Sequence, residues 1–84
     1  MEKQIVVIMV DNRSSSAVEL QNILTKNGCM IKTRLGLHDG VADRCSQTGL
    51  IILEMVGKSS EVDSFTKKVN TLDCVNAKSV MLNI

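Results

Sequence analysis

The side chains best suited to chemistry gather in one stretch of this 84-residue chain, where His38, Asp39, Asp43, Arg44 and Cys45 precede Thr48. His38, Asp43 and Cys45 would offer the imidazole, carboxylate and thiolate donors that zinc accepts. Donor types without a spacing motif are weak grounds for a metal, and a solvated loop accounts for the same residues. Neither a metal nor a cofactor is therefore expected. A calcium loop starting at Asp39 would need an acidic residue at its twelfth position, which is Leu50. Arg44 beside Cys45 favours a thiolate. A catalytic thiol also needs a base held by an orienting group, and His38 is the sole histidine. Gly36 and Gly40 stand apart from one another and lack the lysine of a phosphate-binding loop.

A second group of charges lies in the apolar run from Gly49 to Val56, where Glu54 is the one ionisable side chain. If Leu50, Ile52 and Glu54 share a sheet face, Lys32 and Arg34 on a neighbouring strand are placed to offset the carboxylate. The ordinary outcome is a rim ion pair worth under about 1 kcal/mol.

The elements that must carry these residues follow from periodicity. QIVVIMV, from Gln4 to Val10, is β-branched without polar alternation, as in a central strand. Ser16 and Glu19 have the spacing of a capping box, with Ser14 and Ser15 as further candidates for the cap. Ala17, Leu20, Ile23 and Leu24 then recur at helical spacing until Gly28, a residue suited to a left-handed C-terminal stop. From Cys29 to Leu37 the alternation puts Ile31, Thr33 and Leu35 on one face, with Lys32 and Arg34 on the other. Gly49 to Val56 reads as a second apolar strand. Ser60 and Asp63 repeat the capping box, and Val62, Phe65, Val69 and Leu72 form the stripe of a second helix. Asp73 is placed to take a left-handed turn before a last strand from Cys74 to Ile84.

The order is β-α-β-β-α-β, which gives an α+β, ferredoxin-like fold over residues 1–84. Its four-stranded antiparallel sheet, in the order 4-1-3-2, carries two helices on one face. The first and third strands are central and apolar on both sides, so the face opposite the helices exposes more apolar surface than a monomer normally tolerates. Homo-oligomerisation as a dimer or tetramer is the expectation. Composition narrows the function further. The chain is 44% hydrophobic and 23% charged, with no Pro, one Phe, no Tyr and no Trp. RNA-recognition modules of the same topology stack bases on rings of the first and third strands, and none is present here. With a net charge of +1 and a pI near 7.7 there is no electrostatic footprint for nucleic acid or membrane. Cys29, Cys45 and Cys74 form no CxxC pair, and Cys29 and Cys74 would fall on opposite edge strands, so free thiols and a cytoplasmic location are expected. The longest early apolar run, Ile5 to Val10, has six residues, short of a signal sequence or a membrane span.

The β-α-β-β-α-β order, K-T-R-L-G-L from Lys32 to Leu37 and G-L-I-I-L-E-M from Gly49 to Met55 together resemble the iron-only hydrogenase system regulator family. That family is ACT-like, and is also similar to the C-terminal effector domain of the nickel-responsive repressor. The resemblance implies a single ACT-like domain with a non-enzymatic, regulatory or effector-sensing role, acting on transcription or a hydrogenase system through a partner. Two departures stand out. Asp11-Asn12-Arg13-Ser14-Ser15 lacks the Pro and Gly of the amino-acid-binding ACT turn, and one His cannot reproduce the nickel ligand set. Effectors in such assemblies sit near the turn after the first strand and at subunit boundaries. The ligand-binding residues this implies are Asn12, Arg13 and Ser14 with Arg34 and His38 from the same or an adjacent chain, in an interfacial pocket, while the ordinary alternative is that Asn12 and the serines only form the turn and cap the helix. The alternative is a small ferredoxin-like enzyme using Arg13 or the Cys45 loop, although the glycine-rich anion nest such a site uses is missing beside Arg13.

Overall fold

Strand β1 (Glu2–Asp11) runs through the middle of the molecule because it is flanked on both sides by antiparallel partners. The computed structural model describes residues 1–11, 14–38 and 48–84. After β1 come helix α1 (Ser16–Lys26), a single 3-10 turn (Gly28–Met30) and strand β2 (Ile31–His38). Strand β3 (Thr48–Met55), helix α2 (Ser59–Val69) and strand β4 (Val75–Asn83) complete the fold. The sheet order is β2-β3-β1-β4, the ferredoxin-like arrangement expected from the sequence, with β1 and β3 central.

Alternation along the two central strands separates the sheet faces. In β3, Gly49, Ile51, Leu53 and Met55 are buried while the residues between them are half-exposed. In β1 the inward set is Val6, Ile8 and Val10. Leu20 and Leu24 of α1, Val62, Phe65 and Val69 of α2, and Ala77 of β4 close over these side chains. The single aromatic ring is thus spent in the core. Burying a Leu or Val side chain in this way stabilises by about 1.5–3 kcal/mol, and the helical stripes read from the sequence are the stripes that pack.

The ends of the elements differ from expectation. Ser15, one of the three candidate caps, is the N-cap of α1 but makes no side-chain cap bond, and Ser16 is buried in the first turn, so the Ser16–Glu19 box does not form. The hydroxyl of Ser14 instead donates to the Asp11 carbonyl at 2.8 Å, closing the turn that leads into the helix. At α2 the cap falls on Lys58, whose backbone N–H donates to the Glu61 carboxylate at 3.0 Å. Gly57, at φ 116°, reverses the chain directly after β3 and starts the helix earlier than Ser60. Gly28 does not adopt the left-handed region. Asn27 ends α1, with its side chain donating to the Ile23 carbonyl at 2.8 Å, and the 3-10 turn carries the chain to β2. Cys74, at φ 60°, takes the left-handed turn before β4 in place of Asp73.

A bulge alters the faces of β2. Ile31 pairs with Met55 and Thr33 pairs with Glu54, so one residue is inserted at Lys32. Ile31 therefore packs on the core while Thr33 and Leu35 lie on the opposite side, which separates three residues that simple alternation put together.

Candidate functional site

No described element covers the sheet face away from the helices, and cross-strand pairing arranges its side chains in rows. Leu35, Ile52, Val7 and Lys78 form one row across β2, β3, β1 and β4. On one side of it run Leu37, Leu50, Met9 and Asn76; on the other run Thr33, Glu54, Ile5 and Val80. Leu82, opposite Lys3, extends the last row along β4. Met9, Leu35 and Leu82 are each at least half exposed, at 54%, 50% and 57%. Nine apolar side chains thus share one open surface, counting Ile5, Val7, Met9, Leu35, Leu37, Leu50, Ile52, Val80 and Leu82. A contiguous apolar surface on this scale marks an interaction site.

Charges sit at its margin. The Lys3 ammonium lies 3.0 Å from the Glu54 carboxylate and that of Lys32 lies 3.9 Å away, while the Thr33 hydroxyl donates to Glu54 at 3.3 Å. The hydrogen bond from Lys3 leads the causes that hold the Glu54 pKa below its ordinary 4.5, with the charges of Lys3 and Lys32 adding to it. The expected partnership of Glu54 with Arg34 is not formed. The bulge at Lys32 turns Arg34 to the helix side, opposite Leu53, where its guanidinium donates to the Gln21 side chain of α1. Lys3, from the other neighbouring strand, takes the place foreseen for Arg34.

Where the open face meets the end of β1, Met9, Asp11, Thr48, Cys74, Val75 and Asn76 line a concave recess of about 420 Å³. Its floor is fixed by the Asp11 N–H donating to the Cys74 carbonyl at 3.0 Å. Asp11 and Thr48 are cross-strand partners, as are Met9 and Asn76, so the recess offers both polar and apolar groups.

Each edge strand of the sheet is interrupted at one point. On β4 the Asn70 carboxamide forms two bonds to the backbone of Ala77: it donates to the carbonyl at 2.9 Å and accepts from the N–H at 2.7 Å. One side chain thereby fills the β4 edge at Ala77, one residue of the nine-residue strand. On β2 the bulge and Lys32 interrupt the ladder. Both devices are ways of discouraging edge-to-edge pairing.

Of the implied ligand-binding residues, Asn12, Arg13 and the His38 side chain lie outside the described residues, as does the rest of the loop through Cys45. Ser14 closes the β1–α1 turn and Arg34 braces α1, with no bond between the two. Among the described residues no group of three His, Cys, Asp or Glu side chains could hold a metal, and Cys29 and Cys74 are free and exposed. No described helix is long and apolar enough to cross a membrane. The recess and the Asn70 bridge escaped sequence reasoning. Cys74 and Asn76 precede or open a strand with no motif around them, and Asn70 meets a backbone seven residues further on.

These features define a ferredoxin-like domain with an open sheet face, and solved structures share its fold. The uncharacterized protein TM1266 from Thermotoga maritima superposes with a TM-score of 0.83 at 19% identity, over 99% of this chain and 100% of that one. A formyltetrahydrofolate deformylase from Pseudomonas syringae pv. tomato matches with a TM-score of 0.62 at 10% identity, over 96% of this chain. The match spans 28% of the deformylase, so the same fold there is one part of a longer protein. No protein-family model matches the sequence. No curated protein matches it either.

Proposed function

We propose that the chain is a non-enzymatic regulatory domain that self-associates and senses a small effector, acting through a partner on transcription or on a hydrogenase system, as its resemblance to the hydrogenase system regulators and ACT-like domains suggests. The observation that carries this reading is the open apolar face with a mixed polar and apolar recess at its rim. Such a surface serves binding, and the recess offers an effector a place next to the self-association surface, where occupancy would alter assembly. The full-length match to the Thermotoga protein supports a domain of this size acting as a unit. A match to one part of a much longer enzyme fits a fold that is used as an accessory module.

The test is a ligand screen by two-dimensional NMR on the full chain. Effector binding is expected to shift the backbone resonances of Met9, Asp11 and Asn76 and to weaken when Arg13 or His38 is changed to alanine. Hits that leave those resonances unmoved would remove the recess from the reading. Turnover that disappears with Arg13→Ala or Cys45→Ala would replace it with an enzymatic one.

A further inference from the structure

We infer that the outer edge of β4, from Ser79 to Asn83, pairs antiparallel with the same edge of a second copy of this chain about a two-fold axis at Met81, joining the two sheets into one. This rests on the self-association proposed above and adds the surface, the register and the orientation.

Main-chain bonds fix which residues of β4 face outward. The Asp11 N–H donates to the Cys74 carbonyl at 3.0 Å and the Ile84 N–H donates to the Met1 carbonyl at 3.0 Å, so the even-numbered positions turn their N–H and C=O toward β1. Ala77 turns both groups the other way, to the Asn70 carboxamide. Alternation along an antiparallel strand then points the N–H and C=O of Ser79, Met81 and Asn83 outward, and no described residue bonds them. Nothing in this stretch blunts the edge. Ser79 to Asn83 has no charge, no Pro and no bulge, whereas β2 carries the bulge at Lys32 followed by Arg34.

The edge is complementary to itself. With outward positions paired, Ser79 opposes Asn83 of the partner subunit and Met81 opposes Met81 of the partner subunit at the axis, so every free group of the stretch is bonded. Asn70 sets this register. A shift toward it would set Asn83 against Ala77 of the partner subunit, whose groups are taken, and a shift the other way pairs Met81 with Asn83 of the partner subunit and leaves Ser79 out. On the open face Val80 meets Leu82 of the partner subunit, and both side chains are about half exposed in the single chain. On the helix side a recess of about 110 Å³, lined by Ser59, Val62, Asp63 and Ser79, lies beside Met81. It has room for one flexible side chain, and Met81 of the partner subunit, directly opposite, is placed to fill it. Because β2 is interrupted and charged, pairing through the β4 edge stops at two chains. The contact is small. A seven-residue overlap at about 3.4 Å per residue, along a body 18 Å thick, joins roughly 430 Å² per partner before side-chain relief. That is the size of a weak, reversible interface held mainly by main-chain bonds, and a reversible dimer is the kind whose assembly an effector can shift.

Sedimentation equilibrium of the full chain over the micromolar range tests this with two variants. The unaltered chain is expected to show a monomer–dimer equilibrium. Ser79→Pro removes one outward N–H from each chain and leaves the bonds between β4 and β1 in place. It is expected to raise the dissociation constant at least about tenfold, with an unchanged far-UV CD spectrum. Ser79→Ala, which keeps the N–H, is expected to change it less than about threefold. Register is read by NMR on a mixture of carbon-13-labelled and unlabelled chains. A filtered NOE is expected between the Hα of Val80 and the Hα of Leu82 of the partner subunit, a non-hydrogen-bonded pair with Cα atoms about 4.5 Å apart. A monomeric unaltered chain would overturn both the inference and the self-association beneath it. A dimer whose dissociation constant is unmoved by Ser79→Pro would overturn the choice of edge and leave self-association standing. Should Ser79→Pro fail to fold, the filtered NOE decides. Its absence from the dimer overturns the edge, and contacts between other β4 residues in its place overturn the register.

Discussion

Replacing Asn70 by alanine removes both bonds that its carboxamide makes to Ala77, one of 2.9 Å to the carbonyl and one of 2.7 Å from the N–H. Ala77 is 2% exposed, so water is a poor substitute for either partner. Each intramolecular hydrogen bond contributes about 0.5–1.5 kcal/mol net, which gives an expected loss of about 1–3 kcal/mol. A chain of this length has a total stability of roughly 4–13 kcal/mol, so the variant still folds at 25 °C. With a urea slope of about 1 kcal/mol per molar, the unfolding midpoint should fall by about 1–3 M at constant slope. The chain has no Trp and no Tyr, so the transition is followed by far-UV CD, at one fixed protein concentration because association adds to apparent stability. Asn70→Asp should lose more at neutral pH, since a carboxylate oxygen would then face the Ala77 carbonyl, and should recover part of the loss on acidification. A midpoint within 0.3 M of the unaltered chain (about 0.3 kcal/mol at that slope) would refute the assignment of Asn70 as the cover of the β4 edge at Ala77.

Two further outcomes follow from the packing and the charges. Leu53→Ala, at a fully buried position on β3, should cost about 2–5 kcal/mol in the same urea experiment, and a loss below about 1 kcal/mol would mean that the core is not centred there. The folded-state pKa of Glu54 lies below its ordinary value. Its contribution to stability is therefore fully present above that value of 4.5 and is lost as pH falls through the lower folded pKa. Glu54→Gln should flatten this part of the acid limb of the stability profile, and an unchanged limb would show that Lys3 and Lys32 do not hold the carboxylate in solution.

What the sequence made legible is what depends on repeated signals. The β-branched run at Gln4 to Val10 and the apolar run after Gly49 identify the central strands, because a strand that packs on helices with one face and carries apolar side chains on its open face shows little polar alternation. The stripes Leu20–Leu24 and Val62–Phe65–Val69 identified the helices and the face they bury. Features set by a single residue were not legible. Lys32 sits in an alternating Ile-Lys-Thr-Arg run that gives no hint of a bulge, and that one inserted residue moves Arg34 to the helix side and Thr33 to the open face. Lys3 as the main partner of Glu54 is not legible either, because it lies 51 positions away and meets Glu54 only through strand register. Capping boxes at Ser16 and Ser60 satisfied the spacing rule, yet Ser14 closes its turn on Asp11 and Gly57 starts α2 earlier. The recess at Met9, Cys74 and Asn76 arises where the ends of strands meet, and no local pattern encodes such a meeting.

Native mass spectrometry of freshly purified protein tests the central claim most directly, since it reads subunit number and retained ligand together. The account expects a species at twice the 9.2 kDa chain mass, or a multiple of it, part of it carrying a small additional mass that is lost on activation. A single species at 9.2 kDa across the micromolar range, with nothing bound, would contradict it.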